Sequence, residues 1–271
     1  MSRRNTVGYL AAFAVIGMTV VPLLFVVLGG FRTTAQINSS PAGLPGPFVW
    51  DNYISVATSP QFWRLLGNSM LIAVIATTLA VVLGSMAAFA LSRYAFKGRE
   101  AFYTLFTLGL LFPLGVATLP LYLWLRELNL LENPLGVAIP EAAFSLPVTI
   151  VILRPFMNAI PGELEDAALL DGAAKLGFFW RILLPLSRPA LITVSVLAFV
   201  TSWNFYLLPL LVFNDSTNFT LPLGVAMFQS EHTQDTAKVL AFTALSMIPA
   251  LTFFVLAERR MVGGLTGSVK G

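Results

Sequence analysis

Charged residues are missing from five long stretches of this chain. Arg4 to Arg32 encloses 27 residues without Asp, Glu, Lys or Arg. Arg64 to Arg93 encloses 28, Glu100 to Arg126 encloses 25, Arg188 to Asp215 encloses 26, and Lys238 to Glu258 encloses 19. A helix that crosses a bilayer needs about 20 predominantly apolar residues. One Arg or Asp at the centre of such a helix costs about 2.5–3.5 kcal/mol, whereas each Leu or Phe returns about 0.3–0.6. A single charge therefore cancels several apolar residues, and the gaps predict spans over 7–30, 67–92, 101–125, 188–212 and 238–257. A sixth span is predicted over 135–154, although it contains Glu141. That carboxylate belongs either near an interface or in the interior of the bundle, where an ionisable side chain is a functional candidate. The segment 33–50 is also uncharged, but Pro41, Pro45 and Pro47 make it a poor span and predict an external loop.

Composition agrees. Only 11% of the residues are charged and 57% are apolar, against about 25% charged in soluble domains. Neither a soluble globule of 271 residues nor a disordered chain carries such a surplus of apolar surface. Arg3 and Arg4 before the first apolar run resemble a signal peptide, but the run exceeds an h-region, so it is read as an uncleaved helix. Six spans put both ends on one side. That side carries Arg3, Arg4, Arg93, Lys97, Arg99, Arg154, Lys175, Arg181, Arg188, Arg259, Arg260 and Lys270, twelve of the 16 basic residues. The other side carries Arg32, Arg64, Arg126 and Lys238. The positive-inside rule makes the first side cytoplasmic, with both termini on it. The basic excess is topological and implies no nucleic-acid partner. The reading is an all-α integral membrane protein of six spans in one domain over 1–271.

Catalytic chemistry finds no footing. There is no cysteine, His232 is the single histidine, and no GxxxxGK[ST] loop occurs. Thiolate nucleophiles, His-based triads, paired-His metal sites and a Walker-type ATP cradle are all excluded. Glu163, Glu165, Asp166 and Asp171 cluster without histidine, and the apolar residues between them disfavour a metal site. No catalytic residue and no metal ligand is assigned.

Two stretches carry functional signals. Trp203, Asn204 and Tyr206 lie deep in the fifth predicted span. Aromatic faces beside an amide suit a sugar, and they equally suit packing with a helix–helix hydrogen bond. The second stretch is the loop 155–189. Pro161 suits a first helical turn, and Glu163, Glu165 and Asp166 complement the N-terminal dipole. Gly172 is placed to end that helix in the left-handed conformation. A second short helix is expected from Ala173 to just before Pro185. Phe178, Phe179 and Trp180 are consecutive, so on a helix they point to different sides. At least one should meet lipid or a partner. Ala167 and Ala168 are small enough for a partner to approach the backbone.

This loop resembles the cytoplasmic signature of inner-membrane permease subunits of ATP-binding-cassette importers: EAA, three residues, G, nine residues, I-x-L-P. Asp166-Ala167-Ala168 stands for the first block, Gly172 follows at the right spacing, and Ile182, Leu184 and Pro185 complete it. Asp in place of Glu keeps the charge on a shorter side chain. Further features are similar to the carbohydrate branch with the six-span, maltose-permease type of subunit. They are Ile160-Pro161, Asp171-Gly172-Ala173, Phe179-Trp180-Arg181-Ile182, Asn52-Tyr53 with Asn68-Ser69, Ala87 to Arg93, Trp203-Asn204 with Leu208-Pro209, and the tail from Gly267 to Gly271.

The resemblance implies the type I importer permease fold in a bacterial or archaeal inner membrane. It implies that Glu163, Glu165, Asp166, Ala167, Ala168, Asp171, Gly172, Phe178, Phe179, Trp180, Ile182, Leu184 and Pro185 form a coupling surface for a separate ATPase. Packing by Ala167, Ala168 and Phe178 to Trp180 is expected to hold that dock, with the acids setting register. The implied partners are two ATP-binding subunits, which hold ATP and Mg²⁺, a second and unlike permease, and an extracytoplasmic sugar-binding protein. This chain would bind no cofactor itself. Trp203, Asn204 and Tyr206 become candidates for the sugar path, and the outer loop 214–238 for contact with the binding protein. A stand-alone secondary transporter is the alternative, which internal repeats and intramembrane acids would favour.

Overall fold

The computed structural model describes residues 3–232 and 235–267. Ser268, Val269, Lys270 and Gly271 of the tail, and Thr233 and Gln234 of the outer loop, lie outside the described residues. In chain order the helices are α1 (Arg3–Gly29), α2 (Thr34–Ser39), α3 (Asp51–Ala57), α4 (Pro60–Arg93), α5 (Arg99–Gly109), α6 (Leu114–Glu127) and α7 (Pro134–Asn158). Then come α8 (Glu163–Leu170), α9 (Lys175–Phe178), a π-helical turn (Phe179–Leu183), α10 (Leu184–Leu186) and α11 (Arg188–Trp203). After α12 (Leu207–Val212) there is a 3₁₀ turn (Ser216–Asn218), then α13 (Leu221–Glu231) and α14 (Thr236–Gly267). No strand occurs among the described residues.

Four helices are long and apolar enough to cross a membrane by themselves: Gly8–Gly29, Pro60–Arg93, Pro134–Asn158 and Thr236–Glu258. Two bent helix pairs, Arg99–Gly109 with Leu114–Glu127 and Lys175–Leu186 with Arg188–Trp203, are candidates for further crossings. The stretch predicted as one helix over 101–125 bends by 99° between α5 and α6, where Pro113 sits at the N-cap of α6 in extended conformation. The fifth predicted span does not run to residue 212 as one helix. It ends at Trp203, resumes as α12, and α11 meets the α9–α10 segment before it at 80°. Prolines do not mark these breaks uniquely, because Pro22, Pro120, Pro140, Pro147, Pro155 and Pro249 all lie inside continuous helices.

The packing falls into two compact units, Met1–Leu66 with Leu223–Ile248, and Gly67–Pro222 with Pro249–Gly271. In the first unit, the segment predicted as a plain external loop is organised around Arg32. This buried guanidinium donates to the carbonyls of Gln36 (2.5 Å), Ser40 (2.6 Å) and Pro41 (3.1 Å). It thereby ties together the carbonyls at the C-terminal end of α2 and of the turn that follows it. At the other end of α2, Thr33 and Gln36 form a reciprocal capping box. Phe62 packs edge-on against Phe242, and Phe228 stacks on the same ring.

In the second unit, α7 is buried at eleven positions, and small residues let its neighbours approach. A Cβ at Gly84 of α4 would collide with the Thr149 side chain of α7. Ala80, Ala142 and Ala198 bring α4, α7 and α11 together at a buried trio. Close approach through small residues is how helices associate in lipid, where burial of apolar surface adds little.

Candidate functional site

The loop 155–189 folds into the helical hairpin that its sequence predicts, and its turn has a Schellman end. Gly172 has φ +82°. Ala173 N–H donates to Ala168 O at 2.9 Å, and Gly172 N–H donates to Leu169 O at 3.0 Å. The second arm departs from expectation. It does not stop before Pro185 but continues through it to Leu186. Pro185 has no N–H to donate and its ring crowds the preceding turn. The helix accommodates it by widening: Leu184 N–H donates to Phe179 O, five residues back, which makes the π turn.

Burial sorts the predicted coupling residues into two groups. Phe178 and Phe179 are fully buried in this chain's own core, with Phe89, Leu153, Met157, Leu183 and Val194. Phe179 stacks on Phe89 with ring centroids 4.9 Å apart. Ala168 faces the same cluster. These three were expected to belong to the ATPase-coupling surface, and in this chain they pack inward beneath the hairpin. The consecutive aromatics do diverge, and the first two complete the internal packing beneath the hairpin. Trp180 is 52% exposed, packed edge-on against Phe179. Ile182, Leu184 and Pro185 are half-buried. The exposed face holds Glu163, Asp166, Ala167, Asp171 and Gly172. Sequence reasoning missed its apolar tip: Leu170 is 89% exposed and Leu176 61%. Both belong to runs that read as ordinary helix filler.

Glu165 alone of the four acids is tied inward. Its Oε2 lies 3.9 Å from Nε of Arg93, and both side chains are largely buried. Arg93 ends α4 and donates from Nη2 to Met157 O (2.9 Å) and Ile160 O (2.8 Å), the last carbonyls of α7 and its exit. One guanidinium thus joins the ends of α4 and α7 to the first arm of the hairpin. Lys175 from the second arm lies 4.8 Å over the Tyr94 ring, and burial, with the Glu165 charge, pushes that phenol above its ordinary pKa. Arg154 makes a second tie. It donates to Leu91 O (3.2 Å) and to Glu100, and lies 4.0 Å over the Tyr103 ring. The hydrogen bond from Arg154, helped by Arg99, holds the Glu100 carboxyl below its ordinary range. Arg93 and Arg154 read in the sequence only as topological charges. The available signal was their place near helix C-termini, where a cation satisfies free carbonyls.

The fifth-span residues do not converge on one surface. Trp203 is 4% exposed and stacks on Phe199 (5.7 Å, 20°), so its ring belongs to the packing and offers no free face to a sugar. Asn204 is exposed and donates to Val200 O of its own helix at 2.8 Å. Tyr206 is exposed in the break between α11 and α12. Glu141 takes the interior position of its two alternatives: it is buried in α7, and Ser202 of α11 donates to its Oε2.

At the outer loop, Glu132 is a further organiser that sequence reasoning missed. Its carboxylate accepts from the Asn214 N–H (2.6 Å), the Asn214 amide (3.0 Å), the Asp215 N–H (3.4 Å) and the Asn218 amide (3.0 Å). Burial raises its pKa, but these donors together hold the carboxyl below its ordinary value.

Comparison with known proteins places this architecture. The chain is 32% identical to the diacetylchitobiose uptake system permease protein NgcG of Streptomyces coelicolor, over 92% of this chain and 83% of that one. It shares its fold with a chain in the crystal structure of a bacterial ABC transporter involved in the import of the acidic polysaccharide alginate (TM-score 0.79, 22% identity, 96% of this chain and 98% of that one). A second alginate transporter structure, in complex with an alginate pentasaccharide-bound periplasmic protein, superposes with TM-score 0.68 at 14% identity, over 94% and 93%. Residues 80–261, which contain the hairpin and the broken fifth span, match the family described as binding-protein-dependent transport system inner membrane component. This multi-pass membrane chain belongs to that family.

Proposed function

We propose that the chain is the membrane-spanning permease subunit of an ATP-driven saccharide importer, and that its hairpin is the contact for a separate ATPase subunit. The observation that carries the reading is the contrast within residues 155–189. The arms are pinned by Arg93 and by buried Phe178 and Phe179, while Leu170 and Leu176 project an apolar tip bordered by Asp166 and Asp171. A leucine left in water forgoes about 1.5–3 kcal/mol that a partner groove would recover. In this reading ATP and Mg²⁺ sit on the ATPase pair, whose closure pulls the hairpin and, through Arg93, the ends of α4 and α7. The chain itself binds no nucleotide.

The remaining partners follow from the family. A second, unlike permease completes the pathway, and a binding protein delivers the saccharide at the outer loop, which Glu132 shapes. Asn204 and Tyr206 face the route, and Trp203 supports them from behind. The twelve-to-four basic split supports both termini on the cytoplasmic side, and the bacterial relatives support a bacterial inner membrane. Saccharide as the substrate class is supported by the relative that takes up diacetylchitobiose and by the alginate importers that share the fold.

The test is co-expression with the partner permease, ATPase and binding protein, followed by uptake of radiolabelled N,N′-diacetylchitobiose and alginate oligosaccharides in membrane vesicles. Uptake that requires ATP and the ATPase, and fails in Leu170→Asp while membrane insertion persists, is the expected result. Uptake by this chain alone, without ATP, overturns the reading in favour of a secondary transporter.

A further inference from the structure

Glu141 lies seven residues after the start of α7, within a helix long and apolar enough to span the membrane. It is 3% exposed. One carboxyl oxygen accepts from Ser202, and the other, Oε1, has no hydrogen-bond partner among the described residues. An ionisable side chain in this position is expensive and is retained in lipid only where it does something. The mechanism above makes no use of it.

The position of Ser202 indicates what that is. Ser202 is the penultimate residue of α11, and the helix ends at Trp203. Asn204 to Tyr206 leave the helix, and α12 starts only at Leu207. α12 is itself fixed elsewhere: Leu208 and Val212 are buried against Val137 and Ala138, one turn of α7 before Glu141. The same stretch of α7 therefore grips both sides of the break, α12 by apolar packing and α11 by this one polar contact. Three residues carry the chain between the two grips, and they include Asn204 and Tyr206, whose side chains are exposed. Packing alone tolerates small axial slips of one helix along another. A hydrogen bond to a given residue in the last turn does not.

We infer that Glu141 is a positioning residue for the broken fifth span. Through Ser202 it fixes the register at which α11 stops, and so the presentation of Asn204 and Tyr206 to whatever passes the break. The assignment to a substrate route rests on the proposed transport function. The register role does not, and the experiment reads the two separately.

The chain contains no cysteine, so a single introduced thiol reports locally without background. Tyr206→Cys is labelled in native membranes with a small maleimide, and Leu170→Cys on the hairpin serves as the distant control. Each is combined with Glu141→Gln, Glu141→Leu and Ser202→Ala. Gln keeps an acceptor oxygen for the serine hydroxyl, whereas Leu and Ala remove the contact. The expected result is a change of about fivefold in the labelling rate at residue 206 for Glu141→Leu and for Ser202→Ala, the population shift that one net hydrogen bond sustains. Glu141→Gln should restore the original rate, and the rate at residue 170 should not move. Equal rates at residue 206 in all variants overturn the inference. So does a parallel change at both cysteines, which would make Glu141 a general packing element. Uptake of labelled diacetylchitobiose by the assembled complex is measured on the same variants. A change at residue 206 in a chain that supports no ATP-dependent uptake would sustain the register role and defeat the transport reading.

Discussion

The hairpin between α7 and α11 and the outer loop that begins at Asn214 solve the same problem with opposite charges. Each must hold an irregular segment at the end of a helical packing, and each does so with one charged side chain that reaches across the sequence. At the hairpin the clamp is a cation. Arg93 satisfies carbonyls left over at the end of α7 and reaches Glu165. At the outer loop the clamp is an anion. Glu132 gathers two backbone N–H groups and two side-chain amides. Helix C-termini offer acceptors and tight turns offer donors, so the sign of each clamp follows from the backbone it serves. The segments differ in what they leave outside. The outer clamp presents Asn214, Asp215, Ser216 and Thr217, polar residues that are at home in water. The hairpin presents Leu170, Leu176 and Trp180, which water does not. A surface of that kind suits a partner, and this difference is what the proposed docking of an ATPase on the hairpin rests on.

The widest separation should appear between adjacent aromatics. Phe179→Ala opens the core under the hairpin and should destabilise the chain by about 3–5 kcal/mol. Trp180→Ala, at the exposed neighbour, should stay within about 1 kcal/mol. Unfolding midpoints in detergent micelles check the pair, and equal losses would erase the division between buried support and exposed face. Next, Arg93→Ala leaves Glu165 and two carbonyls without their cation and should lose about 3 kcal/mol. Limited proteolysis between Ile160 and Gly172 should accelerate. Arg93→Lys should recover little, because an ammonium does not reproduce the planar fork. An intact hairpin in Arg93→Ala would deny the clamp. Leu170→Asp should leave the midpoint unchanged and reduce the co-purifying ATPase by about tenfold or more, from the loss of one buried leucine.

The smallest effect belongs to the anionic clamp. The Glu132 carboxyl is depressed in the folded chain. Its contribution is therefore complete above the unfolded value, about 4.3, and is lost as pH falls through the folded value. Protection of the Asn214 and Asp215 amides from hydrogen exchange, corrected for intrinsic rates, should be steady near pH 7 and fall in that acid window by less than about 1 kcal/mol. Glu132→Gln should remove the pH dependence. A protection that rises on acidification would reverse the assigned sign.

The spans were legible because charge in hydrocarbon is costly enough to leave a visible pattern, and all six predicted stretches are helical for most of their length. Their interruptions were not legible. Pro113 caps a broken helix while Pro120 and Pro147 lie inside intact ones, so the residue type alone does not decide. Neighbours that satisfy the freed carbonyls do. At the hairpin, Gly172 and the acid-rich first turn were read correctly, since both are local backbone matters. The inward packing of Phe178, Phe179 and Ala168 was not legible, because their partners, Phe89 and Leu153, lie elsewhere in the sequence. Arg93 and Glu132 went unread for the same reason: each acts on backbone groups 64 to 83 positions distant.

The central claim is that the tip of the hairpin is covered by an ATPase. Its most direct test is the reaction of a thiol at that tip. With Leu170→Cys as the sole cysteine, maleimide labelling is compared between membranes that contain this chain with its partner permease and membranes that also contain the ATPase subunits. The account predicts that labelling slows at least about tenfold when the ATPase is present, as expected for a side chain at the centre of a packed interface. An unchanged rate, in a complex that still hydrolyses ATP and imports saccharide, would contradict it.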